Sequence, residues 1–370
     1  MNEMAHAQAI NSLFAEEQQP KESAWKKIGR VVGKILLILL ETVVLLAVVV
    51  YGAGYIAMKG PSPAAARRTV TSLRETSAIG FIANLYFADE QIAEMEKVKE
   101  AEEYAPTDTS LFTEQVLTKT DSEGPAADAW GLVDDDGDGI IIEPVHGHGF
   151  SGYMMVVLDP SRVIVGSSPR SYGARGFTVE QFVANFDAVA GTNAGGFLDP
   201  NGTGNGSTPD STVVYEGQVY FSEFGCGGGI AAIDSDNILH VSKRMTKQEL
   251  IDNDIQYAVC YGPVLISNGE AADPETLADS LNPRTAIGQR SDKAMLILVI
   301  DGRQASSIGA SYQDEVEVMQ RFGAVNAINL DGGSSSVMWY GDGYINKTAS
   351  VIGIRPVPTS ILVLKEGAGE

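Results

Sequence analysis

Cysteine and histidine are scarce in this chain, 2 and 4 among 370 residues, and basic side chains fall well short of acidic ones, 26 against 48. Two cysteines cannot staple a disulfide framework or build a cysteine-rich zinc site, so stability has to come from a hydrophobic core. The histidines show no metal spacing beyond His146 and His148, which flank one residue of a glycine-rich turn and read as a solvated hairpin. Cys226 lies in a glycine run and Cys260 in the apolar strand Tyr257-Ala258-Val259-Cys260-Tyr261, and both a bridge and two buried thiols remain open. No histidine neighbours Cys226 to activate it as a nucleophile. The chain also lacks a Gly-x-Ser-x-Gly run after a strand and a phosphate-binding P-loop, which disfavours the usual serine-hydrolase and nucleotide-hydrolase arrangements. No cofactor is expected.

The shortage of positive charge is uneven. Residues 1–34 carry five basic and four acidic groups, whereas from Lys59 onward there are 21 basic and 43 acidic ones. A domain of that sign repels nucleic acid at long range, so no nucleic-acid partner is expected. An anionic ligand would need local arginines to overcome this field. Between the two parts, residues 35–58 are uncharged except for Glu41. At 1.5 Å per residue these 24 positions span about 36 Å, enough to cross a hydrocarbon core of ~30 Å. Lys21, Lys26, Lys27, Arg30 and Lys34 precede the run and place the N-terminus in the cytoplasm. The expectation is a cytoplasmic tail (1–34), a single-pass signal anchor in the cell membrane (35–58) and an external remainder. Glu41 falls in the cytoplasmic third of the span, where a charge near the interface is tolerated.

Residues 59–104 read as a helical juxtamembrane region, rich in helix formers up to 85 and with the alternating charge of a solvated helix over 89–103. Its expected work is to space the domain from the bilayer or to self-associate with another copy, and no chemistry is evident in it. Residues 105–151 read as a linker and an acidic hairpin. Asp134, Asp136 and Asp138, followed by Gly139, match the first half of an EF-hand loop. The twelfth position is Val145, however, and Glu143 comes two residues early, so a tight acidic turn between strands is favoured over a weak divalent-ion site. Over 152–370 strands and helices alternate. Thr178 with Gln181 and Thr246 with Glu249 form capping boxes, and a helix over 312–322 presents Val316 and Met319 to the core and stops at Gly323. Strands outnumber helices and some are joined by short turns such as Asn268-Gly269. The expected class is α+β, with mixed β-sheets and helices packed on them, preceded by the transmembrane helix.

Four polar runs beside apolar strands carry the chemistry. The first, Asn329-Leu330-Asp331-Gly332-Gly333-Ser334-Ser335-Ser336, puts a carboxamide and a carboxylate at the mouth of a run too rich in glycine and serine to pack a core. Its glycines let a ligand approach the backbone, and its N–H and hydroxyl groups suit anionic oxygens. The others are Thr192-Asn193-Ala194-Gly195-Gly196-Phe197, Asn282-Pro283-Arg284-Thr285-Ala286-Ile287-Gly288 and Asp301-Gly302-Arg303. Asp301 and Arg303 leave the end of the apolar run 294–300, a strand expected to be buried on both faces. Arginines can grip a phosphate in bidentate fashion, and aspartates can act as base or nucleophile.

In order and spacing these runs resemble the phosphodiester glycosidase family over roughly 152–364, and Arg355-Pro356-Val357-Pro358-Thr359-Ser360-Ile361-Leu362-Val363 fits as its closing run. That family includes the lysosomal "uncovering" enzyme, which removes N-acetylglucosamine from a phosphodiester, and bacterial exopolysaccharide biosynthesis proteins. The resemblance implies an extracytoplasmic hydrolase that cleaves a sugar, such as an N-acetylhexosamine, from a sugar-1-phosphodiester in a cell-envelope glycan. A phosphate diester leaves as a stable anion, so acid assistance matters less than cationic clamping. Asp331 and Asp301 are the expected catalytic carboxylates. Asn193, Gly195, Gly196, Arg284, Thr285, Arg303, Asn329, Gly332, Gly333 and Ser334 are the expected substrate-binding residues, with Arg355 in reserve and no metal. Two rivals stay open: a non-catalytic domain that binds phosphorylated glycan, and a transferase that passes the sugar to an acceptor other than water.

Overall fold

The computed structural model describes residues 24–76, 79–113, 128–167, 172–199, 204–220, 226, 228–350 and 353–367. The expected tail up to residue 23, with Lys21, and the 114–127 part of the linker lie outside the described residues. The chain divides into two compact units, Met1–Gly60 and Pro61–Glu370. The described part of the first is the helix Ala24–Lys59, whose leucine, isoleucine and valine side chains are exposed along its length. Among the described residues it is the one helix long and apolar enough to cross a membrane.

Among the described residues the second unit holds three sheets, and every strand pairing is antiparallel. The seven-stranded sheet runs in the order Ile140–Gly147, Phe150–Val157, Met295–Ile300, Arg284–Arg290, Ala324–Asn329, Val264–Ser267, Glu270–Ala271. Met295–Ile300 is buried at every position, as its unbroken apolar sequence requires. One five-stranded sheet is built around Ala188–Asn193 and Thr359–Leu364, the other around Ile255–Cys260 and Ile230–Asp234. Alternation along the strands turns one face of each sheet into a shared core, where Met155, Ile287 and Ile328 meet Val165, Ala190 and Ile361 and also Ala231, Leu239 and Val259. The helix Tyr312–Arg321 covers the outer face of the large sheet with Val316 and Met319, and Gly323 ends it at φ 79°, a left-handed position that suits glycine. Val179–Asn185 packs on the second sheet and Lys247–Asp252 on the third, each opened by its expected capping box. Cys226 and Cys260 form a disulfide.

Three expectations about boundaries change. The sheet domain begins before residue 152, because Ile140–Gly147 pairs along its whole length with Phe150–Val157. The aspartate-rich turn precedes that strand rather than joining two, with Asp134 Oδ1 accepting from the Gly137 N–H at 2.9 Å and Asp138 Oδ1 from the Ile140 N–H at 2.8 Å. The carboxylates of Asp134, Asp136 and Asp138 come within 4.8 Å of one another. The charged helix expected over 89–103 is Asp89–Glu96 only, and the chain beyond it is extended.

The segment that follows the apolar helix belongs to the second unit. Its helix Pro63–Arg74 begins with Ser62 as cap and a proline in the first turn, and buries Ala66, Val70 and Thr71. Hydrogen bonds fix it to the loop before strand Arg284–Arg290. The Thr71 hydroxyl donates to the Asp279 carbonyl at 2.6 Å, and the Leu281 N–H donates to the Ser72 hydroxyl at 2.8 Å. Arg68 pairs with Asp279 at 2.7 Å. The helix ends at Arg74, which places Glu75 and Thr76 over the ends of the sheet strands.

Candidate active site

Strand ends from all three sheets converge on one place. Arg284 opens its strand directly opposite Ile300, so the loops carrying Arg284 and Arg303 leave the same end of the large sheet. Asp331 follows Asn329, which pairs with Ala286 on the neighbouring strand. Backbone hydrogen bonds then stitch the loops together: Asp331 N–H to the Ala194 carbonyl at 2.9 Å, Gly333 N–H to the Pro283 carbonyl at 2.8 Å, and Gly196 N–H to the Cys260 carbonyl at 3.1 Å.

These loops enclose a cavity of about 600 Å³ that Asp331, Arg284, Arg303, Tyr261, Asp199 and Arg355 line, together with Glu75 and Thr76 from the end of the helix Pro63–Arg74. Gly196, Gly332, Gly333 and Ser334 also border it. Two of these glycines are required by space. A Cβ on Gly196 would lie 2.5 Å from Asp210 Oδ2, and Gly333 sits at φ 62° with Arg303 Nη2 only 3.2 Å from where its Cβ would be.

Arg284 is buried, with its ring neighbour Tyr312 3.8 Å away in a cation–π contact. Its Nε donates to the Ala310 carbonyl at 3.0 Å and its Nη2 to the Ser280 hydroxyl at 2.8 Å. Burial works against its charge, but Tyr312, Glu75 and Glu315 hold its pKa above the usual arginine value. Glu315 lies wholly buried 4.0 Å from Arg284 Nε, and neither of its oxygens has a hydrogen-bond partner among the described residues. Burial raises its pKa to about 8. Arg303 is more exposed. It reaches across the cavity from a left-handed backbone (φ 56°), donating to Asn282 Oδ1 at 2.9 Å, the Thr76 hydroxyl at 2.7 Å and the Ser334 hydroxyl at 3.3 Å. Burial and then repulsion from Arg284 lower its pKa.

Glu75 is the residue that sequence reasoning missed. Its carboxylate accepts from the Ser280 hydroxyl at 2.6 Å and the Asn282 amide at 2.7 Å, and pairs with Arg284 Nη1 at 3.2 Å. The segment after the apolar helix therefore brings a group to the site, contrary to the expectation that no chemistry lies there. No local pattern announces this, since the partners stand more than 200 positions away in the chain. Tyr261 was missed as well, its apolar strand giving no sign that the next side chain enters a cavity.

Asp331 brings a second carboxylate to the cavity. Its Oδ2 is shielded from solvent and has no hydrogen-bond partner among the described residues. Burial raises its pKa to about 6, against the pull of Ser335 and Arg355. Arg355 itself pairs with Asp199 at 2.9 Å.

Five expected residues lie behind the cavity instead of lining it. Asn193 is buried, donating to the Asp331 carbonyl at 2.5 Å and accepting from the Thr285 hydroxyl at 3.1 Å and the Val337 N–H at 3.2 Å. Asn329 donates to the Gly262 carbonyl at 2.6 Å. The Gly195 N–H donates to the Thr359 hydroxyl at 3.1 Å. These groups, with Thr285, hold the Asp331 loop from below. Asp301 accepts from the Asn346 amide and the Lys347 N–H, each at 3.0 Å, and so secures a neighbouring loop; burial raises its pKa, opposed by those bonds. His240 is also internal, bonded to Asp234 at 2.8 Å.

Residues 186–364 match the family model described as phosphodiester glycosidase. That match covers just under half of the chain. A curated relative, the SPbeta prophage-derived uncharacterized protein YomE of Bacillus subtilis (strain 168), is 28% identical over 200 residues, 53% of this chain and 30% of the relative. The chain thus spans under a third of that relative's length. The catalytic domain of zebrafish N-acetylglucosamine-1-phosphodiester alpha-N-acetylglucosaminidase, auto-inhibited by its pro-peptide, superposes with a TM-score of 0.50 at 17% identity, covering 73% of this chain and 97% of that one. At that identity the likeness is one of fold.

Proposed function

We propose that this phosphodiester glycosidase domain hydrolyses a sugar-1-phosphodiester, with Arg284 and Arg303 gripping the phosphate and Asp331 acting at the anomeric carbon. One observation carries the reading. The cavity already holds an anion between its donors, the carboxylate of Glu75, and Asp331 adds a second carboxylate whose burial raises its pKa to about 6. A monoanionic diester phosphate has the charge and the acceptor oxygens to take the place of Glu75 on Arg284, Asn282 and Ser280. Bound there, it directs the sugar toward Asp331, which above about pH 6 is ionised and able to attack C1 or take a proton from water. The negative net charge of the whole domain is then answered locally by the paired arginines. The helix Ala24–Lys59 would anchor the enzyme in the cell membrane, with the domain outside acting on envelope glycans.

The zebrafish domain is described as inhibited by its pro-peptide. We extend that to this chain in a smaller form: the segment N-terminal to the domain lays Glu75 into the phosphate clamp, so substrate has to displace one side chain.

Full-length protein in lipid nanodiscs, incubated with methyl phosphodiesters of N-acetylglucosamine and related sugars, should release free sugar. Asp331→Asn in the same nanodiscs should not. Release unaffected by that substitution, or binding of the diester without turnover at any pH from 5 to 9, would overturn the hydrolytic assignment and favour a binding domain.

A further inference from the structure

A second cavity, of about 620 Å³, opens from the first. It runs between one face of the helix Pro63–Arg74 and the loops that carry Leu281 and Ile308, and it shares Thr76, Ile79, Asn282 and Arg303 with the site. Its surface is less polar than its residue names suggest. The Thr69 hydroxyl donates to the Ala65 carbonyl at 2.8 Å, and the Ser72 hydroxyl donates to the Arg68 carbonyl at 2.6 Å while accepting from Leu281. The Thr76 hydroxyl donates to the Ser72 carbonyl at 3.2 Å, and Arg68 is paired with Asp279. These polar groups are thus already engaged, leaving methyl and methylene surface. Ile79 and Ile308 add apolar area that is 39% and 58% exposed. At the inner end stands the cation Arg303.

We propose that this groove is the aglycone subsite and that the aglycone is a lipid: the substrate is a sugar joined through a phosphodiester to an apolar chain. The inference rests on the function proposed above and names its substrate class. A trough of spent hydrogen-bonding groups that ends at a phosphate-gripping arginine is complementary to an alkyl phosphate. A hydroxyl-rich glycan or glycerol chain would give up its water there and find few partners in return. In the sequence Ser62, at the outer end, follows the apolar helix by three residues. An enzyme anchored by that helix and a substrate anchored by its own tail would then share one surface. Hydrolysis breaks the bond from C1 to the bridging oxygen. Water supplies the new sugar hydroxyl, and the alkyl phosphate monoester leaves with the remaining proton.

The test compares methyl and decyl phosphodiesters of the same sugar with the full-length protein in phosphatidylcholine nanodiscs. Each well-buried methylene is worth roughly a factor of four, so even partial burial of a decyl chain should lower KM at least tenfold relative to methyl. Ile308→Asp, an exposed position outside the clamp, should remove most of that advantage and leave methyl diester turnover unchanged. This separates the groove from simple partitioning into the bilayer, which the substitution would not alter. Equal KM values for the two diesters, or a decyl advantage that survives Ile308→Asp, would overturn the lipid subsite while leaving the hydrolase standing. If neither diester is cleaved the hydrolase reading fails, and binding of methyl and decyl phosphate to the same nanodiscs still decides the groove. Binding of the decyl ester that Ile308→Asp weakens supports it, and indifference to the substitution refutes it.

Discussion

Replacing Asp331 with asparagine should make the protein more stable and nearly inactive. The carboxyl is neutral more easily than usual, with a pKa raised from 3.8 to about 6, chiefly by burial. A raised folded-state value means that this group's contribution to stability is complete below about pH 3.8 and is lost as pH rises through about 6. Above that point the ionised carboxylate costs up to about 3 kcal/mol, since each tenfold change in proton affinity is worth about 1.4 kcal/mol. Relaxation of the cavity reduces this, so roughly 1–3 kcal/mol is expected. Asparagine matches the volume and never ionises. Near pH 7.5 the variant should therefore melt about 2–8 °C higher than the parent, while below pH 4 the two should coincide. Sugar release should fall by about 10²–10⁴-fold, and the parent's rate should decline on the acid side with a midpoint near 6. Melting curves and sugar release from one preparation at pH 4, 6 and 7.5 give both readouts. A variant that melts about 1 kcal/mol less stably and keeps most of its activity would show that Asp331 merely caps its turn.

Glu75→Ala should lower KM and strengthen inhibition by inorganic phosphate, each by about tenfold, because one competing ion pair is removed; loss of turnover would instead make Glu75 part of the chemistry. Arg303→Ala should leave the fold intact and raise KM at least tenfold, whereas Arg284→Ala should cost roughly 2–5 kcal/mol by leaving a cavity where a large buried side chain stood; equal melting of both variants would refute that division. Glu315, raised from 4.5 to about 8, favours the fold below about pH 4.5 and loses that contribution through about pH 8. Glu315→Gln should therefore gain stability relative to the parent as pH rises from 5 to 8.5, and parallel melting profiles over that range would rule it out. Protease added to intact cells should degrade the domain beyond Lys59, and protection until lysis would reverse the proposed topology.

Much of this was written in short-range pattern. The apolar run 35–58 marked most of the long helix Ala24–Lys59, and the unbroken apolar sequence of Met295–Ile300 marked a strand buried at every position. Capping boxes at Thr178 and Thr246 marked helix starts. Glycine runs beside strands pointed to Asp331, Arg284 and Arg303, since such runs pack no core and leave their backbone open. What lay beyond the sequence was which polar residues of a run turn inward. Asn193, Thr285 and Asn329 look like ligand contacts in one dimension, yet buried backbone groups must be paired, and the loops that needed pairing come from distant strands. Asp301 and Asp331 occupy like positions after apolar strands. Asn346 and the Lys347 N–H claim the first, whereas Oδ2 of the second has no hydrogen-bond partner among the described residues. Glu75 shows the limit most clearly: its partners Ser280, Asn282 and Arg284 are more than 200 residues away, and only packing of the segment across the sheet ends joins them.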